Sequence, residues 1–194
     1  MRGADVLIAL SSPGPGVVKS DWVKSMAPKA IVFACANPVP EIWPHEAKDA
    51  GAFIVATGRG DFPNQVNNSV CFPGILKGAL LVRAKTITDT MAIRCAKSIA
   101  AFAREEGISP DYIIPGMGRP DLFAREAADV AAEAIKEGVA RLSPGWQEVY
   151  DQALADIAKS QKQYRMLETS GFIEAVPEAI IQEAFSWALR AENT

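Results

Sequence analysis

Three short apolar runs, each bounded by turn residues, constrain the fold more than any other feature: "ADVLIALS" (4–11), "AIVFACA" (30–36) and "AFIVATG" (52–58). Uninterrupted runs of this length are what strands covered on both faces require, so each is a candidate central strand of a parallel sheet. Between them lie "SDWVKSMA" (20–27), with Ser20 placed as an N-cap, and "VPEIWPHEAKDAG" (39–51), with Gly51 placed as a C-cap. The spacing predicts a βαβαβ unit. Right-handed crossovers bring the carboxyl ends of such strands to one rim, where open α/β sheets bind their ligands.

Beyond the third run the pattern turns helical. "NNSVCFPGILKGALLVRA" (67–84) opens with amides that suit a helix N-terminus, and Pro73 and Gly74 predict a bend or restart inside it. "TDTMAIRCAKSIAAFAREEG" (88–107) sets Met91, Cys95, Ile99 and Phe102 on one face. Further helices are expected over 121–139, 146–168 and 177–193, the last two after a change of character at Ser143, Pro144 and Gly145. The expected organisation is a partial Rossmann-like α/β domain over 1–142, with three parallel strands and helices on both faces, followed by a helical extension over 143–194.

At 194 residues and 49% hydrophobic the chain can bury one substantial core. A net charge of -3 signals no basic surface for nucleic acid or anionic lipid. Cys35, Cys71 and Cys95 are odd in number, widely spaced and set in apolar sequence, a pattern of structural thiols in a reducing compartment. No apolar run reaches the ~18 residues that span a bilayer, and the first residues do not read as a signal peptide. The expected location is the cytoplasm, with no membrane partner. His45, the single histidine, follows Pro44 on a polar helix start and reads as solvated surface.

The three strand ends carry the candidate chemistry. "SSPGPG" (11–16) offers hydroxyl donors and glycines that permit close backbone approach, or simply a tight turn. Asn37, held extended by Pro38, can meet a nicotinamide or a carboxylate, or cap the next turn. In "TGRGDFPNQVNN" Arg59 and Asp61 read as a local ion pair, and Asn67 and Asn68 present side-chain amides at a helix N-terminus, where oxygen-rich anions are favoured. One asparagine suffices as a cap, which leaves the second to be explained. "GMGRPD" (116–121) has Asp121 where a G-x-G-x-x-G motif needs its last glycine and is set aside.

"GADVLIALSSPG", the long string from "IVFACANPVPEI" through "ATGRGDFPNQVNNSVCFPGILKGALLVRA", and "DYIIPG" resemble the cofactor-binding domain of bacterial-type malic enzymes over residues 3 to about 142. The resemblance implies oxidative decarboxylation of malate to pyruvate and carbon dioxide with NAD or NADP and a divalent Mg or Mn ion. By position it implies substrate contacts for Asn37, Asn67 and Asn68, and cofactor contacts for Ser11, Ser12, Pro13, Gly14, Asn37 and Asn67. No catalytic residue and no metal ligand is expected within the chain, because the family's tyrosine and lysine, its metal carboxylates and its Gly-rich fingerprint belong to an upstream part expected to precede residue 3. Amides of this kind orient substrate and nicotinamide rather than move protons.

Departures from the family pattern are Gly60 in place of serine, a first loop about two residues longer, and a tail from 143 on that falls outside the resemblance. Completed by an upstream part, the chain is expected to act in malic enzyme; alternatives are a non-catalytic binding or assembly module, or part of another amino-acid or hydroxy-acid dehydrogenase. Alone it is expected to be inactive and to bind dinucleotide weakly. Without an upstream half, "ADVLIALS" becomes an exposed apolar edge, which predicts self-association, covering by the C-terminal helices, or association with the missing portion.

Overall fold

The computed structural model describes residues 1–174 and 176–191. Contacts divide the chain into two compact units, Met1–Leu154 and Ala155–Thr194. The first holds a sheet of three parallel strands in chain order, β1 Val6–Ala9, β2 Ile31–Ala34 and β3 Ile54–Thr57. Its register pairs Val6 with Ile31 and Ile31 with Ile54. Two short helices make the crossovers, α1 Ser20–Lys24 and α2 Pro44–Asp49.

Strand order and handedness together decide which face is covered. Two successive right-handed crossovers that advance in the same direction place both helices on one side of the sheet. Leu7, Ala9, Val32, Ala34 and Val55 point to that side and pack with Val23 of α1 and Ala47 of α2, together with Val18, Met26 and Ile42 from the connecting segments. The alternate residues point the other way. There Ala56 of β3 is fully buried, whereas Val6 and Ile8 of β1 are 50% and 61% exposed. The first run is therefore an edge strand with one bare apolar face, as expected for a sheet lacking an inner neighbour, and not a centrally buried strand.

Both crossover helices are shorter than the sequence pattern predicts. Lys19, not Ser20, occupies the cap position of α1. α2 begins only at Pro44, whose ring suits the first helical turn. It is capped by Ala50, with Gly51 next in the left-handed region at φ 99°. Residues 39–43 are drawn instead into the rim loop, where Glu41 has a separate task.

The second layer is a helical core. A 3-10 turn over Asn68–Val70 precedes α3 Phe72–Leu81, with Pro73 in its first turn, so the predicted restart occurs. α4 Asp89–Glu106 is capped by Thr88, whose Oγ1 accepts from the Met91 N–H at 3.2 Å. Its Met91, Cys95, Ile99 and Phe102 face inward as predicted. α5 Pro120–Lys136 presents an alanine-rich face to α3, and Gly74 and Gly78 of α3 let the two helices approach closely: a Cβ at Gly78 would lie 2.5 Å from the Ala127 carbonyl oxygen. α6 Trp146–Thr169 adds Val149 and Ala153 to this core. α7 Glu178–Ala191 lies in the second unit. Among the described residues no helix is long and apolar enough to cross a membrane.

Candidate functional site at the carboxyl rim of the sheet

The loops that follow β1, β2 and β3 are bound to one another rather than merely adjacent. Gly14 N–H donates to the Val39 carbonyl at 3.2 Å, which ties the first loop to the second. Arg59 donates from Nη1 to the Pro38 carbonyl at 3.0 Å while its Nε holds Asp61 Oδ1 at 2.8 Å. The expected ion pair is present, and it also clamps the third loop to the turn that carries Asn37. The Arg59 guanidinium stands 5.8 Å over the Trp43 ring and 5.5 Å over Phe62, which fixes its plane.

Glu41 organises the floor beneath these loops. Its side chain is fully buried, and its Oε1 accepts from both Ser11 N–H at 2.7 Å and Ser11 Oγ at 3.0 Å, while Oε2 accepts from Ala36 N–H at 3.1 Å. One carboxylate thus joins the ends of two neighbouring strands. Burial disfavours its charge, but the Ser11 and Ala36 donors outweigh that and hold the carboxyl below its ordinary value.

The asparagines separate into three kinds. Asn64, buried and at φ 56°, donates to the Val55 and Pro110 carbonyls at 3.0 and 2.8 Å and accepts from Ile113 N–H at 2.8 Å. It is structural cement. Asn67 caps the 3-10 turn, its Oδ1 accepting from Ser69 N–H at 3.0 Å and Ser69 Oγ at 2.8 Å, and its Nδ2 donates to the Gly58 carbonyl at 2.7 Å. Asn37 and Asn68 are exposed, and neither side chain has a hydrogen-bond partner among the described residues. Two amides remain available for a ligand.

Gly58 is where Asn37 and Asn67 meet. A Cβ there would lie 3.0 Å from Asn37 Nδ2 and 3.1 Å from the Cys35 carbonyl, so the absence of a side chain lets the second loop lie against the third. Of the first-loop candidates, Ser11 is committed to Glu41, Ser12 and Pro13 are exposed, and Gly14, at φ 131°, is half-buried by its bond to Val39.

Residues 3–139 match the family described as malic enzyme, NAD binding domain. The chain belongs to the malic enzyme family. It is 46% identical over 146 residues to the bifunctional malic/malolactic enzyme of Bacillus subtilis (strain 168), an alignment that covers 75% of this chain and 35% of that protein. It is 45% identical over 141 residues to the NAD-dependent malic enzyme of Geobacillus stearothermophilus, covering 73% of this chain and 29% of that protein. The crystal structure of Entamoeba histolytica malic enzyme superposes with a TM-score of 0.94 at 59% identity, covering 97% of this chain and 39% of that one. The chain therefore spans well under half the length of the malic enzymes it matches. The 97% coverage also carries the likeness into the C-terminal helices, which the sequence pattern had left outside the family.

In this malic enzyme chain the rim offers neutral donors, and among the described residues no cluster of three His, Cys, Asp or Glu side chains is arranged to hold a metal ion. The sequence reasoning missed Glu41, Gly58 and the second bond of Arg59. A lone acid inside "PVPEIW" and a glycine directly after a strand were the available signals.

Proposed function

We propose that this chain supplies the nucleotide side of a malic enzyme active site. The observation that carries it is the junction at Gly58, where Asn67 is bonded and Asn37 abuts, while the Asn37 and Asn68 amides remain free at the strand ends. NAD or NADP, when bound, supplies the hydride acceptor for malate oxidation. The residues present suit such a group because they are uncharged donors and acceptors at the rim where α/β sheets hold ligands. Asn37 and Asn68 would orient the nicotinamide amide and the malate carboxylate; Asn67 positions the loop that carries Asn68; Ser12 and Gly14 would border the cofactor.

No side chain in this group is suited to hold a proton near neutral pH, so general acid and base work is assigned to the part of a malic enzyme that lies outside the matched length. The divalent Mg or Mn ion implied by the family finds no ligand set among the described residues, and no step is derived through it. Malate and pyruvate are the small-molecule partners of this proposal, association with a further portion of a malic enzyme is part of it, and the cytoplasm is its proposed setting.

The test is a malate-dependent NAD(P)H assay of the chain alone and of the chain mixed with an upstream fragment of a related enzyme. The mixture is expected to be active and the chain alone silent, with Asn37→Ala lowering the mixture's kcat/KM by about tenfold or more. Full activity of the chain alone, or an unaltered Asn37→Ala mixture, would refute it.

A further inference from the structure

Two thiols and one carboxyl meet beneath the first turn of α3. Cys71 stands between the 3-10 turn and α3 and is half-buried. Cys95, in the middle of α4, is fully buried, and its Sγ donates to the Cys71 carbonyl oxygen at 3.8 Å. The two thiols are also within hydrogen-bonding reach of each other. Cys35, the third cysteine, directly follows β2 and belongs to the sheet layer.

The carboxyl is that of Glu126, reaching in from α5. It passes so close under Gly74 that no Cβ would fit there. Both of its oxygens are buried and lack a hydrogen-bond partner among the described residues. An enclosed acid without a donor is costly, and packing alone gives it no reason to be there. Burial, and then the charge of Glu126, push both thiols up, so at neutral pH each is held as the neutral thiol. A buried thiol held in that form needs a proton acceptor at hand to become a nucleophile.

We propose that Cys71 and Cys95 form a dithiol site that small-molecule disulfides oxidise to an intramolecular bridge, with Glu126 as the proton acceptor for Cys95. Cys71, the thiol that solvent reaches, loses its proton to solvent and attacks one sulfur of the reagent; the reagent's S–S bond breaks and one thiolate leaves. Cys95 then passes its proton to the Glu126 carboxylate and attacks Cys71 Sγ, which expels the second thiolate. Two protein thiols are oxidised, and one reagent disulfide is reduced to two thiols. The bridge ties the start of α3 to α4. Because the Cys71 N–H donates to the Asn68 carbonyl at 3.0 Å, the turn that carries Asn68 is held by the same link.

Intact mass and peptide mapping of the full chain, incubated with excess oxidised glutathione at mildly alkaline pH, test this. The expected product has lost two hydrogens, carries no glutathione and links the Cys71 and Cys95 peptides. Its thermal midpoint rises by about 5 °C or more, because the bridge closes a loop in the unfolded chain. Cys35→Ser leaves the bridge intact. Cys95→Ala stops the reaction at glutathione on Cys71, whereas Cys71→Ala leaves Cys95 unmodified in the folded chain. Glu126→Gln slows closure from the mixed disulfide by about tenfold or more. Glutathione retained on Cys71 in the parent chain, a bridge to Cys35 or between two chains, modification of Cys95 in folded Cys71→Ala, or closure unslowed by Glu126→Gln would each overturn the proposal.

Discussion

Asn67 donates a 2.7 Å hydrogen bond from Nδ2 to the carbonyl oxygen of Gly58. The bond runs from the cap of the 3-10 turn back to the residue after β3, so the loop between them is closed on itself. Asn68, the next residue, is left exposed with its amide free. Two adjacent asparagines therefore have different tasks.

Asn67→Ala removes a cap and the Gly58 bond, and is expected to cost about 1–2 kcal/mol of stability. Asn68→Ala is expected to change stability by less than about 0.5 kcal/mol while weakening ligand binding. Denaturant titration of both variants, beside a dinucleotide titration, checks the division.

Glu41→Ala leaves the buried Ala36 N–H and the part-buried Ser11 N–H without their acceptor, at an expected cost of about 2 kcal/mol. Because its folded carboxyl is held below the ordinary value, its contribution is present above the unfolded pKa and disappears as pH falls through the folded one. Acid unfolding followed by fluorescence should begin at higher pH in the variant.

Glu126 is the opposite case. It is fully buried beneath Gly74, neither carboxyl oxygen has a hydrogen-bond partner among the described residues, and burial pushes its pKa up to about 8. The folded state therefore keeps a proton that the unfolded state loses near the ordinary value of 4.5, so stability declines as pH rises between 4.5 and 8 and levels off above. Glu126→Gln is expected to flatten that slope, by a few kcal/mol at neutral pH. Thermal melts at a series of pH values measure it, and an unchanged slope would contradict the assignment.

Gly78→Ala would place a methyl group 2.5 Å from the Ala127 carbonyl oxygen, a backbone atom that cannot turn aside. The helices must separate, at an expected cost of about 2–3 kcal/mol by chemical denaturation. Gly138→Ala, where a Cβ meets nothing within 4 Å but φ is +71°, tests backbone strain without that clash and is expected to cost about 1 kcal/mol.

The strands and the long helices were legible because continuous apolar runs and 3.6-residue periodicity are local properties, and Met91, Cys95, Ile99 and Phe102 face inward as the spacing required. The family string led correctly to the family. What remained hidden depended on partners far along the chain. Glu41 sits in a segment that read as helix, and its role exists only because the fold brings Ser11 beneath it across thirty positions. Asn67 and Asn68 look alike in sequence, since the carbonyl that distinguishes them belongs to Gly58. Glu126 matched an ordinary acid on an amphipathic helix, and only the close approach of Gly74 shows that it is enclosed.

The most direct measurement follows the side-chain amide resonances of the asparagines by two-dimensional nitrogen–proton NMR while NAD or NADP is added, with and without malate. The Asn37 and Asn68 signals are expected to shift together and saturate, with Asn64 unmoved. Stationary Asn37 and Asn68 signals at ligand concentrations that displace resonances elsewhere in the chain would contradict a ligand site on this rim.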